Sequence, residues 1–398
     1  MNLETPSPSR RTLGEVPIWR DERVLRASAQ IVSALAIIGF IAWVVSNFRI
    51  AAEARGLDLT FRFLKLPAAF PISDPIIPYD PSRSFGYAFI VGLVKTLLVS
   101  SIGIVLATIL GTIIGLARLS TNWLISRLAL IYIEIHRNIP LLVLLFIWYF
   151  PIFSTLPPVS EAIILPGPIY LSARGIYFTW PAFTESGRAW SIYVLVGLLV
   201  AIITWIVLRR RRERTGKATY FGGVSLLILI FVPLLGWILV PGNPLQINTP
   251  YLEGFNFQGG LRFTPEFAAL LIALVTYTAG FIAEVVRSGM QAVNRGQLDA
   301  ARAVGLSYMQ VIALVIMPQA LRVIIPPLIS QFLNLTKNSS LALLIGYQDL
   351  FSVARITINQ AGRVIPVFFM TMATYLFLSL MTSFVLNIYN RRIQFVER

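Results

Sequence analysis

Cysteine is absent from this 398-residue chain, and histidine occurs once, at His136. Disulfide frameworks, thiolate zinc sites, cysteine nucleophiles and multi-histidine metal clusters are thereby excluded. Charge is scarce as well: 13% of residues are Asp, Glu, Lys or Arg, against 56% hydrophobic, and mean hydropathy is +0.75. That is more apolar surface than one water-soluble core can bury. No paired aspartates, Ser-His pair or metal set surrounds His136 in the apolar runs, so the inventory for catalysis within a membrane is missing. A phosphate-cradling loop of the form G-x-x-x-x-G-K-[ST] is missing too. The nearest spacing, Gly111 and Gly115 in "GTIIGLAR", is a small-xxx-small pair inside an apolar run and suits close helix packing.

What is present is apolar length. The first run, "ASAQIVSALAIIGFIAWVV", is long enough for a bilayer core, follows five arginines and lacks a small-residue cleavage site, so it is expected to be a retained span. Further runs lie at about Phe89 to Leu116, Asn122 to Phe153, Trp190 to Leu208, Phe221 to Val240, Phe267 to Val286, Val323 to Ile345 and Val364 to Ile388. The expected fold is all-α: a polytopic integral membrane protein of about eight transmembrane helices.

The formal charge of +15 sits in short clusters beside these runs, such as "RRRRERTGK" at Arg209 to Lys217 and "RRIQFVER" at the end of the chain. A nucleic-acid reader would gather its basic residues on one soluble face, so no nucleic-acid partner is expected. Placing the amino terminus in the cytoplasm puts Arg118, Arg127, the Arg209 to Lys217 cluster, Arg287, Arg295, Arg302 and Arg391 inside, as the positive-inside bias requires. Both termini are then cytoplasmic. The two proline-rich segments outside, Arg49 to Tyr87 and Ser154 to Ala189, are expected to form ordered lids or short interfacial pieces, not sheets.

One loop is more elaborate than a polar turn. In "QLDAARAVGLSYMQVIALVIMP", Gln297 to Pro318, the residues Ala300, Ala301 and Val304, then Met309, Ile312 and Ala313, recur at helical spacing, and Gly305 falls where a left-handed C-cap ends the first helix. Two short helices at an angle follow. Taken alone, such an element is an amphipathic helix resting on lipid headgroups.

The order Asp299, Ala300, Ala301, three residues, Gly305, nine residues, Val315, Ile316, Met317, Pro318 resembles the Glu-Ala-Ala loop of permease subunits from bacterial ABC importers. It departs by Asp for Glu at Asp299, Val for Ile at Val315 and Met for Leu at Met317, each keeping the character of the position. "YIEIHRNIPLLVLLFIWY", "AEVVRSGMQAV" and "NLTKNSSLALLIGYQDL" are similar to segments of the polar amino acid group, and the extra first span and inserted pair around Arg209 resemble the longer general amino acid permeases. The resemblance implies a type I ABC importer-like transmembrane domain in the bacterial inner membrane. It implies no cofactor in this chain, with ATP and Mg on partner ABC ATPase subunits. It also implies a second permease, identical or homologous, a periplasmic amino-acid-binding protein, and contact with membrane lipid. Asp299, Ala300, Ala301, Gly305 and Pro318 become the ATPase-coupling residues. A secondary transporter or channel for small polar solutes is the rival, and the Gly305 loop argues against it.

On this scheme residues 1–27 are a cytoplasmic segment and 28–87 the first span with its external loop. Residues 88–153 begin the permease core, 154–263 hold an external loop and the inserted helix pair, and 264–398 complete the core, with the coupling loop at 284–318. Two polar groups are candidates for the substrate path. Glu134, His136 and Arg137 lie about 22 Å into their run, near the bilayer midplane, with Pro140 breaking the helix just beyond; either they face a cavity or Glu134 and Arg137 form a structural i, i+3 pair. Gln331, Asn334 and Asn338 share a helical face beside Lys337, with Pro326 and Pro327 expected to open that helix and Asn338 near mid-depth. They suit a zwitterionic solute or, alternatively, hydrogen bonding across a dimer seam.

Overall fold

A computed structural model of the protein describes residues 22–54 and 59–393. The expected amino-terminal segment therefore lies outside the described residues up to residue 21. Helix α1 (Glu22–Ala54) is exposed along its apolar length. Residues 59–84 then form a lid: a 3-10 turn (Arg62–Lys65) and the side chains of Phe63, Phe70 and Ile72 pack on Phe85 and Phe89 at the start of α2 (Phe85–Arg118). Ser84 caps α2, accepting from the Tyr87 N–H.

Asn122 caps α3 (Trp123–Asn138), accepting from the N–H groups of Leu124 and Ile125. Pro140 has no N–H to continue the ladder and forces Ile139 into extended backbone. The chain resumes as α4 (Leu141–Trp148) and a π-helical turn (Tyr149–Phe153), bent 105° from α3. Next come a hairpin of two long helices, α5 (Glu185–Thr215) and α6 (Phe221–Leu239), and then α7 (Pro265–Gln291), whose Thr264 cap and Pro265 make a strong helix start. Two short helices, α8 (Arg295–Ala303) and α9 (Tyr308–Val311), lead through a second π-helical turn (Ile312–Ile316) into α10 (Met317–Asn338). A 3-10 turn (Ser339–Ile345), α11 (Leu350–Ala361) and α12 (Val364–Ile393) complete the described chain. Seven helices among the described residues are long and apolar enough to cross a bilayer, or eight with the bent α3–α4 pair counted as one crossing. This agrees with the sequence.

The core is built around α7, whose buried face alternates large residues such as Leu270, Leu274 and Ile282 with the small Ala268, Ala269, Ala273, Ala279 and Ala283. Small residues let backbones approach, and α2 does so where a Cβ on Gly111 would stand 2.7 Å from the Ile282 Cβ and one on Gly115 2.7 Å from the Ala283 carbonyl oxygen. The pair read from the sequence as a packing motif is one. On the other side Gly289 of α7 receives Ile324 and Ala320 of α10.

The expectation that the proline-rich segments form no sheet holds for Arg49 to Tyr87 over residues 59–84, its ends belonging to α1 and α2 and its one isolated bridge joining Pro67 with Ser84, and fails for Ser154 to Ala189. That segment contains β1 (Ile163–Leu165), β2 (Ile169–Ser172), β3 (Gly175–Phe178) and β4 (Trp180–Phe183). The stretch after α6 adds β5 (Leu245–Asn248), β6 (Tyr251–Glu253), β7 (Asn256–Gln258) and β8 (Leu261–Phe263). They form an antiparallel sheet in the order β1-β2-β3-β8 and two ribbons, β4-β5 and β6-β7. Pro157 and Pro158 precede the strands, Pro166 and Pro168 sit in the β1–β2 turn, and Pro181 lies in a two-stranded ribbon, so the prolines leave the main ladder free. Pairing of β3 with β8 and β4 with β5 joins the two flanks of the α5–α6 hairpin.

Candidate coupling loop and transport path

The Gly305 loop folds as its spacing requires. Asn294 caps α8 through the Gly296 N–H. The helix closes when the Gly305 N–H donates to the Arg302 carbonyl at 2.9 Å and the Leu306 N–H to the Ala301 carbonyl at 3.2 Å, with Gly305 at φ +81°. This paired closure needs a left-handed residue, for which glycine has no Cβ penalty. Ser307 and Gln310 then exchange hydrogen bonds as a capping box and start α9. The second helix is no separate surface piece: it runs through the π-helical turn into α10, with Pro318 in the first turn of that helix.

Ala301 is buried, Asp299, Ala300, Gly305 and Pro318 are exposed, and the rim of the loop is apolar: Val304, Tyr308, Met309 and Leu314 are each more than 60% exposed. Exposed apolar residues at this turn suit contact with lipid headgroups or with another protein. The loop touches the π-helical turn directly through α8, so a force on α8 bears on the start of α10.

Of the two readings of the first polar cluster, the Glu134–Arg137 ion pair is not formed. Glu134 accepts from Asn138 Nδ2 at 3.0 Å, and the Arg137 guanidinium lies over the Phe281 ring of α7, 5.5 Å from its centre. Both spacings, i+3 and i+4, are within reach on a helix, and here the amide at i+4 is taken. Glu134 and Arg137 are exposed. His136 is the anchor: its ring stacks on Tyr132 at 4.0 Å, its Nδ1 lies 3.0 Å from the Tyr132 carbonyl, and the Tyr132 hydroxyl donates to the Thr276 carbonyl of α7 at 2.8 Å. A carbonyl only accepts, so Nδ1 carries the proton.

The second group also needs correction. Pro326 and Pro327 do not open a helix but lie inside α10, which starts nine residues earlier at Met317 and tolerates the lost ladder bonds. Asn338 is its last residue, about 32 Å from Met317, so the stripe occupies the sheet-end half of α10 and not its middle. Leu335, on the other side, packs against Gly103 of α2, whereas Asn334 and Lys337 are exposed and Gln331 and Asn338 half-buried. Among the described residues none of the four makes a side-chain hydrogen bond. The two candidate groups share α7 as a packing neighbour.

Two buried ionisable residues escaped the sequence reading. Lys95 is the single charged residue of the run Phe89 to Leu116 and is 3% exposed, and that isolation was the available signal. Asp349 caps α11, accepting from the Ser352 N–H at 2.9 Å; burial pushes its carboxyl up to about 6, against the hydrogen bonds from Ser352 and Tyr375.

Residues 103–395 match the family described as the binding-protein-dependent transport system inner membrane component. The chain belongs to this family. Over 371 residues the transport component is 43% identical to the putative amino-acid ABC transporter permease protein YhdX of Escherichia coli K12, covering 93% of this chain and 94% of that one. It is 40% identical over 369 residues to the general L-amino acid transport system permease protein AapQ of Rhizobium johnstonii, covering 93% and 92%. The glutamate/glutamine/aspartate/asparagine transport system permease protein BztB of Rhodobacter capsulatus is 40% identical over 410 residues, covering 95% and 96%.

Proposed function

We propose that this chain is the permease subunit of an ATP-driven amino acid importer in the bacterial inner membrane. It works beside a second permease, identical or homologous, with two ABC ATPase subunits that hold ATP and Mg and a periplasmic amino-acid-binding protein. The Gly305 hinge carries the reading, because it presents an apolar rim just beyond the end of α7, alongside which α2 runs to Arg118. On the positive-inside bias we assign that end, and with it both termini, to the cytoplasm and the strands to the outside. Asp299, Ala300, Ala301, Gly305 and Pro318 couple the ATPase to α10.

The solute path runs between the two permeases. Its walls carry Arg137 with Glu134 and His136 on α3 and Gln331, Asn334, Lys337 and Asn338 on α10, the last four of which make no side-chain hydrogen bond among the described residues. The domain scheme follows: a core from 88–153 and 264–398, and an insertion at 154–263.

Purification under mild detergent is expected to bring down an ATPase, and reconstitution with it and the binding protein to give ATP-dependent amino acid uptake. Gly305→Val costs about 1–2 kcal/mol in the helix closure, because a branched side chain resists positive φ. Nothing lies within 4 Å of the added Cβ, so membrane insertion persists while uptake falls at least about tenfold. Normal uptake by that variant would return the loop to the headgroup-resting helix.

A further inference from the structure

Where the strands meet the core, five separated stretches of chain, the β2–β3 turn at Ala173 and Arg174 among them, line an open cavity of about 360 Å³. Ser73 and Asp74 come from the lid, Lys95 from α2, Arg262 and Glu266 from the junction of β8 with α7, and Tyr347 from the turn before α11.

The charges in this cavity are unevenly matched. Arg262 is fully engaged: it donates to Asp74 Oδ1 at 3.3 Å and to the Arg174 carbonyl at 2.9 and 3.1 Å, and it lies over the Tyr177 ring. Lys95 is not. Its ammonium, about 15 Å along α2 from Phe85, donates to the Ser73 carbonyl at 2.6 Å and lies 4.6 Å from the centre of the Tyr347 ring. No carboxylate stands within 4 Å of it among the described residues, and an ammonium has three donors. Glu266 is the converse. It accepts from the Tyr149 hydroxyl at 3.3 Å and has no cation within 4 Å.

A cavity with one buried unmatched cation and one unmatched carboxylate is complementary to a small zwitterion. We propose that it is an outer site for the head of an α-amino acid, its carboxylate on Lys95 and its ammonium on Glu266, filled before the solute enters the path between the permeases. The proposal rests on the amino acid import reading above. A purely structural Lys95, pinning the lid through Ser73, needs a donor but no charge, so a neutral amide there would serve equally well. A binding Lys95 needs the charge, because burying an unpaired ammonium is costly and a bound carboxylate relieves it.

The absence of native cysteine allows a direct test. Ala173 lines the same cavity and is exposed, so Ala173→Cys gives one thiol on this chain in the assembled importer. Its rate of modification by a methanethiosulfonate is measured without binding protein, against rising L-glutamine, L-glutamate or L-alanine, and against L-alaninamide. Amino acids that the importer takes up are expected to slow labelling saturably, and alaninamide not to. Adding Lys95→Gln or Glu266→Gln should each raise the half-protecting concentration about tenfold or more, and Lys95→Arg less. Should Lys95→Gln fail to assemble, Glu266→Gln and Lys95→Arg carry the test. Equal protection by alaninamide, protection unchanged in the Gln variants, or no protection by an amino acid that is transported overturns the outer site and leaves the importer reading standing. Absence of ATP-dependent uptake of every amino acid offered to the wild-type importer, across the twenty common ones, overturns the importer reading itself.

Discussion

Helix α7 and the α5–α6 hairpin are all apolar enough to cross a bilayer, yet two thirds of the apolar window of α7 is buried, 67%, against 11% for α5 and for α6. The difference lies in side-chain size. Along its core face α7 sets alanines and glycines between Leu, Ile and Phe, and at those small positions α2 and α10 approach to backbone contact. The hairpin offers Ile, Leu, Val and Trp outward on nearly all sides, and its close contacts are internal: Gly236 under Tyr193, Gly197 under Pro233, and Trp190 Nε1 donating to the Pro233 carbonyl at 2.8 Å. In lipid, hydropathy decides which helices enter the membrane, and small residues decide which of them pack.

The sharpest way to break this contrast is to place the same clash in each region. Gly111→Val puts a Cβ 2.7 Å from Ile282 and 2.9 Å from the Ala279 carbonyl oxygen, backbone that cannot swing aside. Overpacking of this kind costs about 1–3 kcal/mol or more. Monodisperse protein by size-exclusion fluorescence is expected to fall at least about fivefold, with Ile282→Ala partly restoring it. Gly236→Val is as tight locally, its Cβ 2.5 Å from Tyr193, but α5 can tilt away into lipid. Assembly and uptake should stay within about twofold of wild type, while tryptophan fluorescence shifts because Trp190 and Trp237 lose their edge-to-face contact, now 5.5 Å between centres. If Gly236→Val proved as damaging as Gly111→Val, the hairpin would have to be counted as core. The smallest effect is expected from Ile203→Ala on the lipid face of α5, 57% exposed: thermal stability in detergent should move by less than about 0.5 kcal/mol equivalent.

Much of this organisation is legible in the chain itself. The spans follow from apolar length, the α3–α4 break from Pro140, and the α8–α9 hinge from Gly305 between two helical periodicities, all local signals with one physical cause each. The strands were not legible, because three- and four-residue segments with aromatic residues facing either way give no period, and proline density suggested irregular chain. Neither was the start of α10, where a π-helical turn and two tolerated prolines hide the continuity from Tyr308 to Asn338. Of the candidate path residues, the types were readable and the partners were not. Whether Glu134 takes Arg137 or Asn138 depends on Phe281, which sits on another helix.

The β3–β8 pairing has a consequence for how such a chain is put together. Phe178 and Leu261 are ladder neighbours, so everything between them departs from and returns to one spot. The excursion also makes two crossings, an even number, which leaves the sidedness of α7 and every later segment as it would be without it. A detour with coincident ends and even parity is modular: chain can be gained, lengthened or lost there without rerouting the helices on either side.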